Sequence, residues 1–347
     1  MHQNTRTHLV WSGPFARLNL AVCITAVLST AGCTKFDLLN ATIPSCGYLR
    51  TKDIAYGTEP RQKLDVYQPS DAVPAQSVSK GSAASIVVFF YGGDWQSGSK
   101  DDYRFVAQAL ASQGFLTVMP DYRLYPQVTF PAFVEDGARA IRWAHDNAPR
   151  FGGDPSRIFL MGHSAGAHIA VLLTLDAHYL QAVGLDRSAI RATAGLSGPY
   201  DFVPPPDDRG AFGMTRDDTT PDPRIEPIHF VDGHAPPLLL VQGLADTTVG
   251  PENAANLADR IKQAGGNVRT IFYPDRGHVG VVLSLAWPFR WLAPTLRDTM
   301  AFFREQEGRN FRYADCSIAS RSCLKNAGTT LKGSYSLPLG ERVSIGR

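Results

Sequence analysis

Short apolar runs and longer amphipathic stretches alternate along most of this chain. Residues 51–57 and 63–67 read as two strands around the turn signal Thr58-Glu59-Pro60-Arg61, which predicts an opening hairpin. Residues 85–90 form a continuous apolar run, the mark of a strand covered on both faces of a parallel sheet. The same type recurs at 115–119, 158–161, 192–196, 238–241 and 268–273. Helical stretches fall at 101–112, 131–147, 164–175, 251–264 and 293–306. The second of these begins with proline in its first turn and buries Phe133, Ala140, Ile141 and Ala144. The fourth is ended by Gly265-Gly266. Strand, helix, strand in repeated order predicts an α/β fold: an open, doubly wound, mostly parallel central sheet of about eight strands with helices on both faces.

Three segments interrupt this rhythm. Residues 69–84, rich in Pro, Ser, Ala and Gly, predict a surface loop. Residues 200–236, rich in Pro, Asp and Gly, predict a short lid or cap region, because a long loop at the carboxyl edge of such a sheet is usually functional. Residues 309–347 carry seven basic and two acidic residues with little periodicity, and read as a partly disordered tail.

At 347 residues the chain has room for one large α/β domain, placed at 34–308. The first 33 residues stand outside it. Arg6 and Arg17 precede an apolar stretch at 18–28, then Ser29-Thr30-Ala31-Gly32-Cys33: a positive region, a short apolar region and a small-residue cleavage site. The segment resembles a bacterial lipoprotein signal, although Thr30 stands where Leu is usual, and the resemblance would make Cys33 the lipidated first residue of an exported protein. Plain secretion and an uncleaved anchor are the alternatives, and the apolar stretch is short for a full span. Contact with a membrane is expected only through this N-terminal lipid or anchor.

Removing residues 1–32 leaves 32 basic against 32 acidic residues, a balance that offers nucleic acid no electrostatic footprint. Beyond Cys23 and Cys33, three cysteines remain. One disulfide is expected in an oxidising compartment, with Cys316–Cys323 the nearest pair and Cys46 an alternative partner. The cysteine and histidine spacings match no structural zinc site.

Chemistry concentrates in Gly162-His163-Ser164-Ala165-Gly166, between the apolar run 158–161 and the helical stretch that follows. Strand, sharp turn and helix with a hydroxyl at the apex make Ser164 the candidate nucleophile, and the turn needs small residues at 162 and 166. Of nine histidines, His278 follows the last strand, on the edge where all parallel strands end, which makes it the candidate base. Asp246, after the preceding strand, completes the order Ser, Asp, His as the imidazole-orienting acid. Asp275 is the rival, three residues before His278. After the run 85–90 comes Tyr91-Gly92-Gly93-Asp94-Trp95, where paired glycines let backbone N–H groups approach a developing oxyanion. Gly92, Gly93, Asp94 and Ala165 are therefore the candidate oxyanion hole. Tyr91 and Trp95, parts of 200–236 and the segment around Trp287 would line the substrate space. His163 and His168 flank the nucleophile and read as packing neighbours, with His163 also carried as a candidate substrate contact.

With these residues in view, the chain resembles an α/β-hydrolase of the esterase/lipase group that includes hormone-sensitive lipase, carboxylesterases and kynurenine formamidase. Asp121-Tyr122-Arg123-Leu124, Phe151-Gly152-Gly153-Asp154-Pro155, the Ser164 elbow, Leu196-Ser197-Gly198-Pro199-Tyr200-Asp201 and Gly243-Leu244-Ala245-Asp246 fall in that group's order. Two positions depart from it. Tyr91 stands where the oxyanion motif usually begins with His, and Asp94 stands where a further Gly is common. An acid aimed into the hole would oppose the negative charge forming there, so the Asp94 side chain is expected to point away. The resemblance implies a serine hydrolase of carboxylic esters, of short-chain acyl esters given the short cap, working through an acyl-serine. An arylformamidase or amidase with the same triad is the alternative. A non-catalytic binding protein of this fold is disfavoured, because such proteins generally lose a triad member. The expected partner is a small-molecule ester or amide, and neither a metal nor an organic cofactor is implied.

Overall fold

The apolar runs assemble into one sheet. A computed structural model describes residues 35–70, 83–218, 220 and 222–308. The N-terminal segment with Cys33, most of the loop 69–84 and the tail 309–347 lie outside the described residues. Eight strands run β1 (Tyr48–Ala55), β2 (Lys63–Pro69), β3 (Ala84–Phe90), β4 (Leu116–Pro120), β5 (Gly153–His163), β6 (Ile190–Leu196), β7 (Leu238–Gly243) and β8 (Val268–Tyr273). Their spatial order is β1-β2-β4-β3-β5-β6-β7-β8. The hairpin partner β2 is antiparallel to β1 and β4, and every other pairing is parallel.

This order places the site. The chain leaves β3 for β4 on one side, then crosses back over β3 to β5, so the winding direction reverses there. Ligands bind at the carboxyl ends of strands flanking such a reversal. Phe90 at the end of β3 pairs with Gly162 of β5, and His163 pairs with Leu196 of β6. The predicted oxyanion turn and the predicted nucleophile therefore emerge side by side. Two strands further, Gly243 pairs with Tyr273, so the loops carrying Asp246 and His278 also emerge together.

The helices Arg104–Ala111, Ala132–Asn147, Ala165–Leu175, Glu252–Gln263 and Thr295–Gln306 lie within the predicted helical stretches. Helix Ala165–Leu175 is buried along its whole length, as a helix with no polar face must be. One of its sides joins the main core, and the other packs Ala167 and Val171 with Leu257 and Ile261 of helix Glu252–Gln263. Burying each of Val171, Leu257 and Ile261 contributes about 1.5–3 kcal/mol, which makes this helix a rigid base for the residue at its start. Among its described residues, the segment 200–236 contains only short 3-10 turns, at Arg209–Phe212, Pro223–Ile225 and Pro227–Phe230. Among the described residues, three short helices escape the periodicity: Lys35–Ala41, Ala177–Ala182 and His278–Leu283.

Candidate active site

Ser164 occupies the left-handed region at φ 55° and ψ −125°, immediately before helix Ala165–Leu175. Strained backbone of this kind persists only where its surroundings over-determine it. The Ser164 N–H donates to the Leu196 carbonyl at 2.9 Å, and the glycines on either side admit no side chain. A Cβ on Gly162 would lie 2.2 Å from the Gly166 carbonyl oxygen, and one on Gly166 would lie 2.1 Å from that of Phe90.

The three residues drawn from separate strand ends meet. His278 Nε2 lies 2.9 Å from Ser164 Oγ, and His278 Nδ1 lies 2.9 Å from Asp246 Oδ2. The other carboxylate oxygen of Asp246 accepts the Thr248 and Val249 backbone N–H groups, both at 2.9 Å. Gln242 Nε2 donates to Asp246 Oδ2 at 3.0 Å and to the Val249 carbonyl at 2.9 Å. Burial alone would raise the Asp246 carboxyl, but the bonds from His278, Val249 and Thr248 outweigh it and hold the group below its ordinary range. Asp246 is buried whereas Asp275 is exposed, so it is Asp246 that meets the imidazole. Gln242 had no signal in the sequence beyond its place near the end of β7.

The turn after β3 has three consecutive residues at positive φ: Gly93 at 137°, Asp94 at 54° and Trp95 at 58°. Its shape is fixed by the Gly93 carbonyl, which accepts from the Gln96 and Ser97 N–H groups at 3.0 and 2.8 Å. Gly92 packs directly on the nucleophile, since a Cβ there would lie 2.9 Å from Ser164 Cβ. Gly92, Gly93, Asp94 and Ala165 all remain candidate donors. The Asp94 side chain is exposed, and its charge is felt by Asp208 in the segment above, as expected of a side chain directed out of the hole.

Two of the expected substrate contacts are corrected. Tyr91 is fully buried, stacked on Tyr122 at 4.6 Å, with its hydroxyl accepting from Arg61 Nη2 at 2.8 Å. It braces the turn from beneath and does not reach a substrate. His163 is buried, with Nδ1 3.1 Å from the Tyr103 hydroxyl and Nε2 3.2 Å from the His278 carbonyl oxygen. Both nitrogens are taken, and burial followed by the nearby His278 ring depresses its pKa to about 3. Trp95, the third expected contact, is buried as well, beneath the segment 200–236, 4.7 Å from Phe212, 6.0 Å from Phe202 and 5.1 Å from His168, ring centre to ring centre. His168 is a packing neighbour as expected: fully buried, it ties this segment to the nucleophile helix through Nε2 and the Ile225 carbonyl at 2.7 Å. Trp287 is exposed.

A protein-family model described as BD-FAE matches residues 64–261, more than half of the chain. Among curated relatives, isoprenylcysteine alpha-carbonyl methylesterase ICME of Arabidopsis thaliana is 29% identical over 253 residues, covering 67% of this chain and 57% of its own length. Esterase LipC of Mycobacterium tuberculosis is 31% identical over 265 residues, 68% of this chain and 63% of its own. The chain thus spans little more than half the length of these relatives. Among solved structures, esterase B from Lactobacillus rhamnosis superposes with a TM-score of 0.65 at 21% identity, covering 85% of this chain and 96% of that one. Thermogutta terrifontis esterase 2 gives 0.61 at 25% identity, covering 77% and 97%. The sheet order and these neighbours share the α/β-hydrolase fold.

Proposed function

The chain belongs to the BD-FAE family, and from that premise we propose that it is a serine hydrolase of carboxylic esters. The observation that carries the reading is the continuous hydrogen-bonded line from Asp246 through His278 to Ser164, both links at 2.9 Å. Ser164 Oγ attacks the ester carbonyl carbon while its proton passes to His278 Nε2. Asp246 accepts the hydrogen bond from His278 Nδ1–H, fixes the ring's tautomer and stabilises the imidazolium that forms. The N–H groups of Gly93, Asp94 and Ala165 receive the oxyanion. Collapse breaks the C–O bond, and the departing alcohol takes the proton from His278. Water then repeats the sequence on the acyl-serine and restores the free enzyme.

Short acyl groups are the proposed substrates. Trp95, Phe202 and Phe212 pack against one another beneath the cap segment, and this aromatic cluster beside the nucleophile supports a small acyl group. The test is hydrolysis of a chromogenic ester series from acetyl to decanoyl. Ser164→Ala should lose at least a thousandfold in kcat on all of them; an active alanine variant, or a preference for decanoyl, would overturn the respective half of the reading.

For the N-terminus, the proposal remains an exported protein carrying a lipid on Cys33. Cys46 is disulfide-bonded, which favours an oxidising compartment. If the proposal holds, Cys33→Ser in the full chain moves the protein out of the membrane fraction; unchanged fractionation rejects it.

A further inference from the structure

Tyr103 and His163 take no part in the chemistry above, yet both are buried polar side chains within reach of it. Each bond they make can be given a direction. The His278 carbonyl can only accept, so His163 Nε2, 3.2 Å away, carries the ring proton. Held neutral by burial and by the adjacent His278 ring, the imidazole of His163 has one bare nitrogen. Nδ1 therefore accepts, and the Tyr103 hydroxyl, 3.1 Å away, donates to it. Burial raises the Tyr103 phenol above its ordinary value, so it keeps that proton. The bonds run one way, from the Tyr103 O–H through the His163 ring to the His278 carbonyl. Gly92 of the oxyanion turn packs directly on that ring, since a Cβ there would lie 3.0 Å from His163 Nδ1.

We infer that Tyr103 and His163 are positioning residues which hold the oxyanion turn and the backbone of the general base at a fixed separation. The inference rests on the reading of Ser164 and His278 given above. Attack requires the base on Ser164 Oγ and the donors on the new oxyanion at the same moment, and a misplacement of about 1 Å can cost 10²-fold. The Asp246 bond fixes the His278 ring only through Nδ1. The carbonyl contact from His163 fixes the main chain of that residue as well. Neutrality matters too, because the two imidazole rings are 4.9 Å apart and a charged His163 would oppose the imidazolium formed on His278.

The test measures kcat and KM on p-nitrophenyl acetate, normalised to sites titrated with a fluorophosphonate. Tyr103→Phe removes one oxygen and takes away the donor to His163 Nδ1. It should lower kcat per titrated site about tenfold, equivalent to about 1.4 kcal/mol, with KM within about twofold. His163→Leu should lose as much or more. His163→Gln keeps an N–H for the His278 carbonyl and an acceptor for Tyr103, and should recover most of that loss. Wild-type kcat in Tyr103→Phe would overturn the inference, as would equal loss in the Leu and Gln variants, which would reduce His163 to filling space. Should His163→Leu not fold, the near-isosteric Tyr103→Phe still decides. Absence of probe labelling in the wild type would instead refute the serine-hydrolase reading itself.

Discussion

Ser164 is a serine in a backbone conformation that suits glycine, at a cost of about 1–3 kcal/mol, and its neighbours keep it there. Asp246 bears the complementary duty at the other end of the line. Replacing it with Asn keeps the shape but lets the amide stabilise the wrong imidazole tautomer. Asp246→Asn should reduce kcat about 10³–10⁴-fold with little change in KM, measured by steady-state kinetics near neutral pH. The sign of its pH dependence follows from a carboxyl held below its ordinary range. Its contribution to stability is complete above the unfolded-state carboxyl pKa and is lost only as pH falls through the lowered folded value. Ser164, Asp246 and His278 were legible in the sequence because parallel strands end on one edge, so chain order implies proximity. Tyr91 and His163 were misassigned because spacing does not reveal which way a side chain leaves a sharp turn. The partner that draws Tyr91 inward, Arg61, lies thirty residues earlier.

Two elements cross at the nucleophile with no room between them. A Cβ on Gly166 would stand 2.1 Å from the Phe90 carbonyl oxygen and 2.4 Å from that of Tyr91, both main-chain atoms that cannot step aside alone. Gly166→Ala should force helix Ala165–Leu175 away from β3, with a loss of at least about 3 kcal/mol, read as a fall in the chemical-denaturation midpoint. On the cap side, Phe212 packs on Trp95, Phe133 and Phe130. Phe212→Ala should open the acyl side and raise the octanoyl-to-butyryl ratio of kcat/KM about tenfold. An unchanged ratio would place the acyl chain elsewhere. The central strands were easy to recognise from their apolar runs because burial on both faces leaves no polar alternation. Helix starts were less sharp: Pro131, Pro251 and Pro294 precede their helices without a side-chain cap. Helix His278–Leu283 left no pattern, being short and rich in valine, and its place is set by packing against β7.

At the scale of the whole molecule, the cap segment must stay docked over an edge that also carries charge. His168 and the Ile225 carbonyl, the Phe130 N–H and the Ala211 carbonyl at 2.7 Å, and the bonds from Tyr200 and Asp201 to Asn253 hold it down. Asp208 works against them. It is half-buried beside Asp94, with Gln96 Nε2 donating to it at 2.8 Å. Burial first and the Asp94 charge second raise its pKa to about 6. Between the ordinary carboxyl range and that value, the folded chain holds a proton that the unfolded chain has released. Stability therefore declines as pH rises through this window and levels off above it. Solvent screening of a half-exposed carboxylate keeps the effect small. Asp208→Asn removes the titration while retaining the contact with Gln96. It should leave Tm unchanged at pH 4 and raise it by on the order of 2 °C at pH 8, measured by calorimetry. An equal shift at both pH values would mean that the contact, and not the paired charges, sets the strain on the cap.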